Sequence, residues 1–530
     1  MTVSQVVAFP GAYRDSLLLL GATRAMQDSE DVSWASAAMA TPAVVADLTG
    51  RGFEPGRLAG ADANALVLAV EADGDPAAQQ ALDRGRTLLF DGAGRDGAGR
   101  DGAGRDGAGR DGADSGPGRD RPDPRTVGEA ARLLPAANVA VVSVPGQYAA
   151  LAAHCALTAG LHVLLFSDNV TLEDEVALKR RASRLGRLVM GPGAGTAMLG
   201  GVGLGFANAV GRGPVGVVAA AGTGAQEVMT LLDQWDIGVS QVIGVGGRDL
   251  SAGVGGLMAR DAVRALDADP ATEVILLVSK PPDESVARAV IGASRDTPVV
   301  AACVGMSAPD GRLAGAPLAA TLEGGARKVA EILGRPVPDL SGTPSARAEV
   351  AIRWPRTGTG RTAVRGFFTG GTLCYEAQVI LTDSLGPVYS NIPLHPGLAL
   401  SELARPGPAG THICLDLGEE EYTQGRPHPM IDPAARREIM REQAFGPDVA
   451  AVLLDVVIGY GSHPDPAGEL AGTCADIVAS GAAVVAYVLG AHDDRQGLDR
   501  QRATLAEAGA IVTASAAQAA RVAAMIAGRS

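Results

Sequence analysis

One short pattern occurs twice in this chain, and it limits the fold more than any other feature. The apolar run Val215 to Ala221 leads into Gly222-Thr223-Gly224-Ala225-Gln226-Glu227 and then into an apolar, helix-like stretch. Roughly 150 residues on, Ala363 to Phe368 lead into Gly370-Gly371-Thr372-Leu373-Cys374-Tyr375-Glu376. In both copies a Glu stands four residues after the Thr. A strand, a glycine turn and a helix start expose backbone N–H groups that have no partner inside the helix, and these make an anion site. Two such sites on one chain, facing one another, would hold a single phosphate or carboxylate from both sides. The plainer alternative is two tight strand-to-helix turns, with Gly for backbone freedom and Thr as a helix cap.

The surroundings of both copies alternate in the same way. From Thr126 the apolar runs predict strands at 138–144, 161–166, 188–190, 215–221, 241–245, 274–278 and 298–304, with helices between them and a closing helix over 318–333. The last block predicts strands at 363–368, 412–417, 449–457, 483–488 and 511–514, again separated by helices. This is an α/β chain with several doubly wound parallel sheets. Aromatic residues are only 3% of the chain, so small aliphatic side chains must fill the cores. The expected organisation is a small N-terminal α/β domain at 1–90, a linker at 91–125, domains at 126–210 and 211–335, a second linker at 336–361, and a last domain at 362–530. The first linker carries DGAGR four times in a row; it has almost nothing to bury and is expected to be disordered.

The formal net charge of −14 argues against a nucleic-acid backbone as the main partner, but not against a phosphate held by local dipoles. Five cysteines lie far apart without a C-x-x-C pair, which favours a reduced, cytoplasmic compartment. No leader peptide or membrane span is expected from the apolar runs.

Six ordered stretches resemble the FdrA family, acyl-CoA synthetase-like proteins related to succinyl–CoA ligase. They are VMGPGAGTAMLGGVGLGFAN (189–208), AAGTGAQEVMTLLD (220–233), GVSQVIGVGGRDLSAGVGG (238–256), RGFFTGGTLCYEA (365–377), LDLGEEEYTQGRPHPMID (415–432) and LLDVVIGYGSHPDPAG (453–468). The resemblance implies a CoA-binding, Rossmann-like domain followed by two flavodoxin-like ligase domains, α-like and then β-like. It implies that the Val144-Pro145 turn holds the pantetheine arm of CoA, with nucleotide and Mg left open. It also implies that Glu227 would face a phosphohistidine. The ligase α-subunit carries that histidine in a Gly-His-Ala-Gly turn. The corresponding stretch here is Gly311-Arg312-Leu313-Ala314-Gly315-Ala316, and no His lies between His162 and His395. Neither the glycine loop that opens a CoA-binding domain nor an ATP-grasp block is apparent.

The candidate phosphate- or acyl-binding groups are therefore Gly222, Thr223, Gly224, Gly370, Gly371 and Thr372, joined by Gly246, Gly247 and Arg248 of the Gly-Val-Gly-Gly-Arg-Asp turn. Arg248 either clamps an oxyanion in a bidentate fork or pairs at the surface. Glu227 and Glu376 either orient a bound group or stabilise the positive ends of their helices. Asp416, Glu419 and His428 form the most polar cluster of the last block, suited to acid–base work or a divalent cation, against a plain solvated loop. Glu227 and His428 are the catalytic candidates, and no residue is assigned to a metal. Cys374 is expected to be a small buried residue. Two activities fit: a subunit of an acyl–CoA ligase-like enzyme acting on a small carboxylate or acyl phosphate, or, by the resemblance, a subunit of an oxamate carbamoyltransferase-type complex in purine (allantoin) catabolism. A non-catalytic scaffold is the third alternative. Other subunits of a heteromeric complex, or further copies of the chain, are the expected partners.

Overall fold

The computed structural model describes the chain apart from residues 1, 13, 15, 59–60, 62–64, 92–123, 339–359, 401–409, 424–425 and 529–530. Both expected linkers thus lie largely outside the described residues. The rest divides into two compact units, Met1–Arg125 with Thr423–Pro427, and Thr126–Tyr422 with His428–Ser530.

The first unit is built on an antiparallel sheet of β1 (Thr2–Phe9), β2 (Val32–Met39) and β3 (Leu66–Asp73), in the order β1-β3-β2. Alternate side chains of a strand point to opposite faces. Leu66, Leu68, Val70 and Ala72 accordingly meet Ala22 and Met26 of the Ser16–Gln27 helix and Leu82 of the Asp75–Arg86 helix. Val67 and Ala69 face Val44 and Leu48 of the Pro42–Gly50 helix, with Phe53 beside them. A central strand covered on both faces explains why β3 reads as one continuous apolar run.

The second unit contains three sheets. Strands β4 (Val139–Val142), β5 (His162–Leu165) and β6 (Val189–Met190) form a small parallel sheet in sequence order. The next eight strands are β7 (Thr196–Leu199), β8 (Val202–Gly205), β9 (Arg212–Ala219), β10 (Val239–Gly244), β11 (Val274–Ser279), β12 (Val299–Cys303), β13 (Arg312–Leu313) and β14 (Ala316–Ala319). They form one sheet ordered β13-β14-β12-β11-β9-β10-β7-β8, parallel from β14 to β10 and antiparallel beyond. The last sheet is parallel throughout: β15 (Ala363–Phe368), β16 (Val388–Ser390), β17 (His412–Asp416), β18 (Val449–Val457), β19 (Ala483–Leu489) and β20 (Ile511–Thr513), ordered β16-β17-β15-β18-β19-β20.

Two hairpins depart from the sequence reading. The β7–β8 hairpin pairs with β10, so residues 196–205 lie in the eight-stranded sheet although the sequence placed them before a boundary at 210. The helix expected over 318–333 runs only over Leu322–Ile332, because β14 pairs with β12 first and Thr321 then caps the helix by accepting from the Gly324 amide at 3.1 Å. A final helix, Ala516–Ala527, was not foreseen. Its sequence, AAQAARVAAMIA, is rich in alanine, and most of its residues are buried.

In each large sheet the first long parallel strand, β9 or β15, has its next partner on one side and later strands on the other. Both are topological switch points, where doubly wound sheets open a crevice at the carboxyl ends of the strands. The two Gly-Thr turns follow these two strands. Between the sheets, helices Gly222–Gln234 and Leu322–Ile332 pack against helices Gly371–Leu385 and Ala516–Ala527, and one apolar core runs through both halves. Val228 and Leu232 share that core with Leu373, Ile380 and Ala520, each fully buried side chain of this size contributing about 1.5–3 kcal/mol. No described helix is long and apolar enough to cross a membrane.

Candidate functional site

The shared core brings the two turns into contact. A Cβ built on Gly370 would run into the Thr223 side chain, and one on Gly224 would lie 3.0 Å from the Thr372 methyl carbon. The threonine of each turn thus packs on a glycine of the other, and at Gly370 a larger residue would force Thr223 to move. The Gly222–Gln234 and Gly371–Leu385 helices have Ala221 and Gly370 at their cap positions, with no side-chain cap hydrogen bond. Thr223 and Thr372 are already the second helical residues, so the plain cap role is not what the threonines do. The first bonds inside the helices run from the Ala225 amide to Ala221 O and from the Cys374 amide to Gly370 O, so the amides before them lie outside the helical ladder.

These turns open on a cleft of about 440 Å³. Gly222, Thr223, Gly370, Gly371 and Thr372 line it, with Gly246 and Gly247 from the turn after β10. The second turn is braced from behind. Thr369 donates its amide to both Asp455 carboxylate oxygens, at 3.0 and 3.1 Å, and Asp455 pairs with buried Arg436 at 3.1 Å. Arg436 also donates to Phe367 O at 2.6 Å, fixing the end of β15.

Asp416, Glu419 and His428 do converge on this cleft. Asp416 is buried at the end of β17; burial, and then the negative charge of Glu419, push its pKa up to about 7. Its Oδ1 accepts from the Gly418 amide at 3.0 Å. Burial pushes the His428 imidazole down to about 4, so the ring is neutral at physiological pH. Its Nδ1 accepts from the Met430 amide at 3.2 Å, which leaves the proton of the neutral ring on Nε2. His428 can thus donate to a bound oxyanion, but its own conjugate acid is too strong to persist at pH 7.

Glu227 and Glu376 do something the sequence did not suggest. They are fully buried and cross between the halves. Glu227 accepts from the amide of Ala516, first residue of the Ala516–Ala527 helix, at 3.2 Å. Glu376 accepts from the amide of Leu322, first residue of the Leu322–Ile332 helix, at 2.7 Å. Each glutamate of a Gly-Thr helix therefore caps the closing helix of the other half. Burial, above all, raises their pKa values to about 8 and about 7, the mutual repulsion of nearby carboxylates adding to it. The second oxygen of each makes no close hydrogen bond among the described residues, although the Tyr487 hydroxyl faces the Glu227 carboxylate. Neither residue lines the cleft, so Glu227 is a link between the halves rather than a group at the anion.

Arg248 is also corrected. Its guanidinium pairs with Glu175 at 2.9 Å and donates to Val170 O at 2.7 Å, away from the cleft lining. The neighbouring Asp249 is wholly buried: it pairs with Lys179 at 2.8 Å and caps the Leu257–Asp267 helix through the Met258 and Ala259 amides. Val144 and Pro145 lie between β4 and the Gly146–Thr158 helix, where Val144 O accepts from the Ser167 hydroxyl; Asp168 and Asn169 of that loop reach the cleft. Arg312, where the resemblance expected a histidine turn, sits in the tight β13–β14 hairpin at the sheet edge and donates to Gly315 O at 2.8 Å. Sequence reasoning missed Lys280, which follows β11 and is the one Lys or Arg among the described residues that line the cleft. It also missed Asp455 and Arg436. A lone Lys before two prolines carries no motif, and the buried pair joins residues 19 positions apart.

The switch-point turns and their common core are those of an acyl–CoA ligase-type α/β protein, and comparisons with known proteins agree. A family model described as "CoA-ligase" matches residues 367–526. The protein YahF of Escherichia coli K12 is 41% identical over 74% of this chain and 77% of its own length. The sulfoacetate–CoA ligase subunit SauD of Bilophila wadsworthia is 29% identical over 34% of this chain, and the succinate–CoA ligase α-subunit of Aquifex aeolicus 30% identical over 36%. The chain spans 63% of the length of each of these two. It belongs to the FdrA family of acyl-CoA synthetase-like proteins related to succinate–CoA ligase. A second model, "AllF, heavy metal-associated domain", matches residues 1–104. That stretch contains neither Cys nor His, the thiolate and imidazole ligands that heavy metals take, so its residues do not fit such a metal.

Proposed function

We propose that this chain is a subunit of an acyl-transfer enzyme whose cleft holds a small carboxylate or acyl phosphate, and that it works without the phosphohistidine of succinate–CoA ligases. The observation that carries this reading is the contact between the two Gly-Thr helix starts. Their amides outside the helical ladder belong to residues lining one cleft, where oxyanion charge developing on a carbonyl or phosphoryl group would meet fixed donors. Neutral His428 adds one N–H donor to the same wall. Arg312 in its edge hairpin supports the absence of a histidine carrier, since nothing in that hairpin offers a phosphoryl acceptor.

CoA fits only in part. Among the described residues the small parallel sheet begins at β4, preceded by the Val127–Leu133 helix alone. The strand, glycine turn and helix that cradle a pyrophosphate in dinucleotide-binding folds are not among them.

A second reading has its own observation. Asp168, Asp416, Glu419 and Glu420 also line the cleft, so it is rich in acceptors as well as donors. A ligand with an anionic end and an N–H-bearing end suits both kinds of group. Carbamoyl phosphate and oxamate have that composition, and a phosphate already joined to the acyl group needs no histidine relay. Incubating the full chain, with and without co-purifying subunits, first with CoA, nucleotide and succinate and then with carbamoyl phosphate and oxamate, separates the readings by which pair turns over. A stable phosphoenzyme mapping to residues 211–335 would overturn both.

A further inference from the structure

One cation in the cleft makes no hydrogen bond or ion pair with the described residues, although Asp416 lies near enough to feel its charge. It is Lys280, half-buried at the carboxyl end of β11. Its Nζ lies 3.0 Å from the point where a Cβ on Gly371 would sit, and Asp416 Oδ2 lies 2.5 Å from that point. Gly371 is the first residue of its helix, so the ammonium stands at a positive helix end. Two positive groups brought together in a partly dry place repel. Asp416 offsets this only in part: burial and the charge of Glu419 disfavour its charged form, while Lys280 favours it. The arrangement is balanced when an anion lies between the ammonium and the two helix starts.

We propose that Lys280 is a substrate-binding residue of this cleft, its ammonium holding an anionic oxygen of the ligand against the Gly-Thr turns. The proposal rests on the reading of the cleft as an oxyanion site and adds the group that supplies a full charge. Each helix end supplies only about half a charge. The lysine points to a ligand whose anionic group arrives preformed, a phosphate ester or acyl phosphate.

The test uses the full chain with inorganic phosphate and acetyl phosphate as probes, their affinities measured by 31P NMR titration for wild type, Lys280→Met, Lys280→Arg and Thr223→Val. Lys280→Met is expected to weaken both probes about tenfold or more, a loss of one strong charge contact. Lys280→Arg should recover most of that loss, which a merely structural lysine against a glycine would not allow. Thermal unfolding checks that Lys280→Met folds; should it not, Lys280→Gln takes its place. If Thr223→Val weakens the probes while the Lys280 variants bind like wild type, Lys280 is not a ligand group and the oxyanion site stands without it. If wild type binds neither probe, both readings fall.

Discussion

Replacing Glu227 by Gln should stabilise the second unit, and increasingly so as the pH rises. Glu227 is fully buried and its pKa is raised from 4.5 to about 8, chiefly by burial. An acid whose folded pKa lies above its unfolded value binds its proton more tightly in the folded state. Its stability contribution is therefore complete below pH 4.5, and is lost progressively as the pH rises towards 8. At about 1.4 kcal/mol per unit the full shift corresponds to about 5 kcal/mol, a ceiling that relaxation of a real protein interior reduces to about 1–3 kcal/mol. A glutamine at 227 keeps an oxygen for the Ala516 amide and offers its NH2 to the Tyr487 hydroxyl, which faces the same carboxylate. It carries no charge at any pH. Urea unfolding followed from pH 5 to pH 8.5 should show a wild-type midpoint that falls with pH and a Glu227→Gln midpoint that falls less. Hydrogen exchange in the Ala516–Ala527 helix should localise the gain, because that is the helix whose first amide the side chain holds. Equal pH slopes in the two proteins, or a variant that is the less stable at pH 8, would refute the reasoning and mean that Glu227 is folded in its charged form.

Thr223→Val and Thr372→Val should each weaken phosphate, carbamoyl phosphate or acyl phosphate binding severalfold while leaving circular dichroism unchanged; a calorimetric titration decides it, and unchanged affinity in both would leave two ordinary strand-to-helix turns. His428, pushed down to about 4, gains no proton in the folded state until well below its usual 6.5, so stability should fall as the pH drops from 6.5 towards 4 and stay flat above it. His428→Gln should blunt that acid-side fall, read from unfolding midpoints at pH 7 and pH 5. Arg248→Ala should lower the melting temperature, since Glu175 loses an ion-pair partner and Val170 O a donor, yet leave phosphate affinity unaltered; a clear loss of affinity would return Arg248 to the anion site.

The local units are legible in the residues alone. Apolar runs, glycines and helix starts within a dozen residues were enough to place β15 and β18 to the residue, and to mark both Gly-Thr turns. That information is local: a strand–turn–helix is specified by residues close together in the chain. The convergence of Asp416, Glu419 and His428 was partly legible for the same reason, as all three sit on one short stretch after β17. Which turn faces which was decided only by the tertiary structure. Thr223 meets Gly370 because two sheets, each opening at its switch point, close over one shared helical core, and that contact joins residues about 150 positions apart. The same packing turned Glu227 and Glu376 from suspected active-site groups into crossed caps, drew Arg248 off to Glu175, and delivered Lys280 to the cleft. Long-range burial fixes where a charged side chain ends, and no local pattern of residues records it.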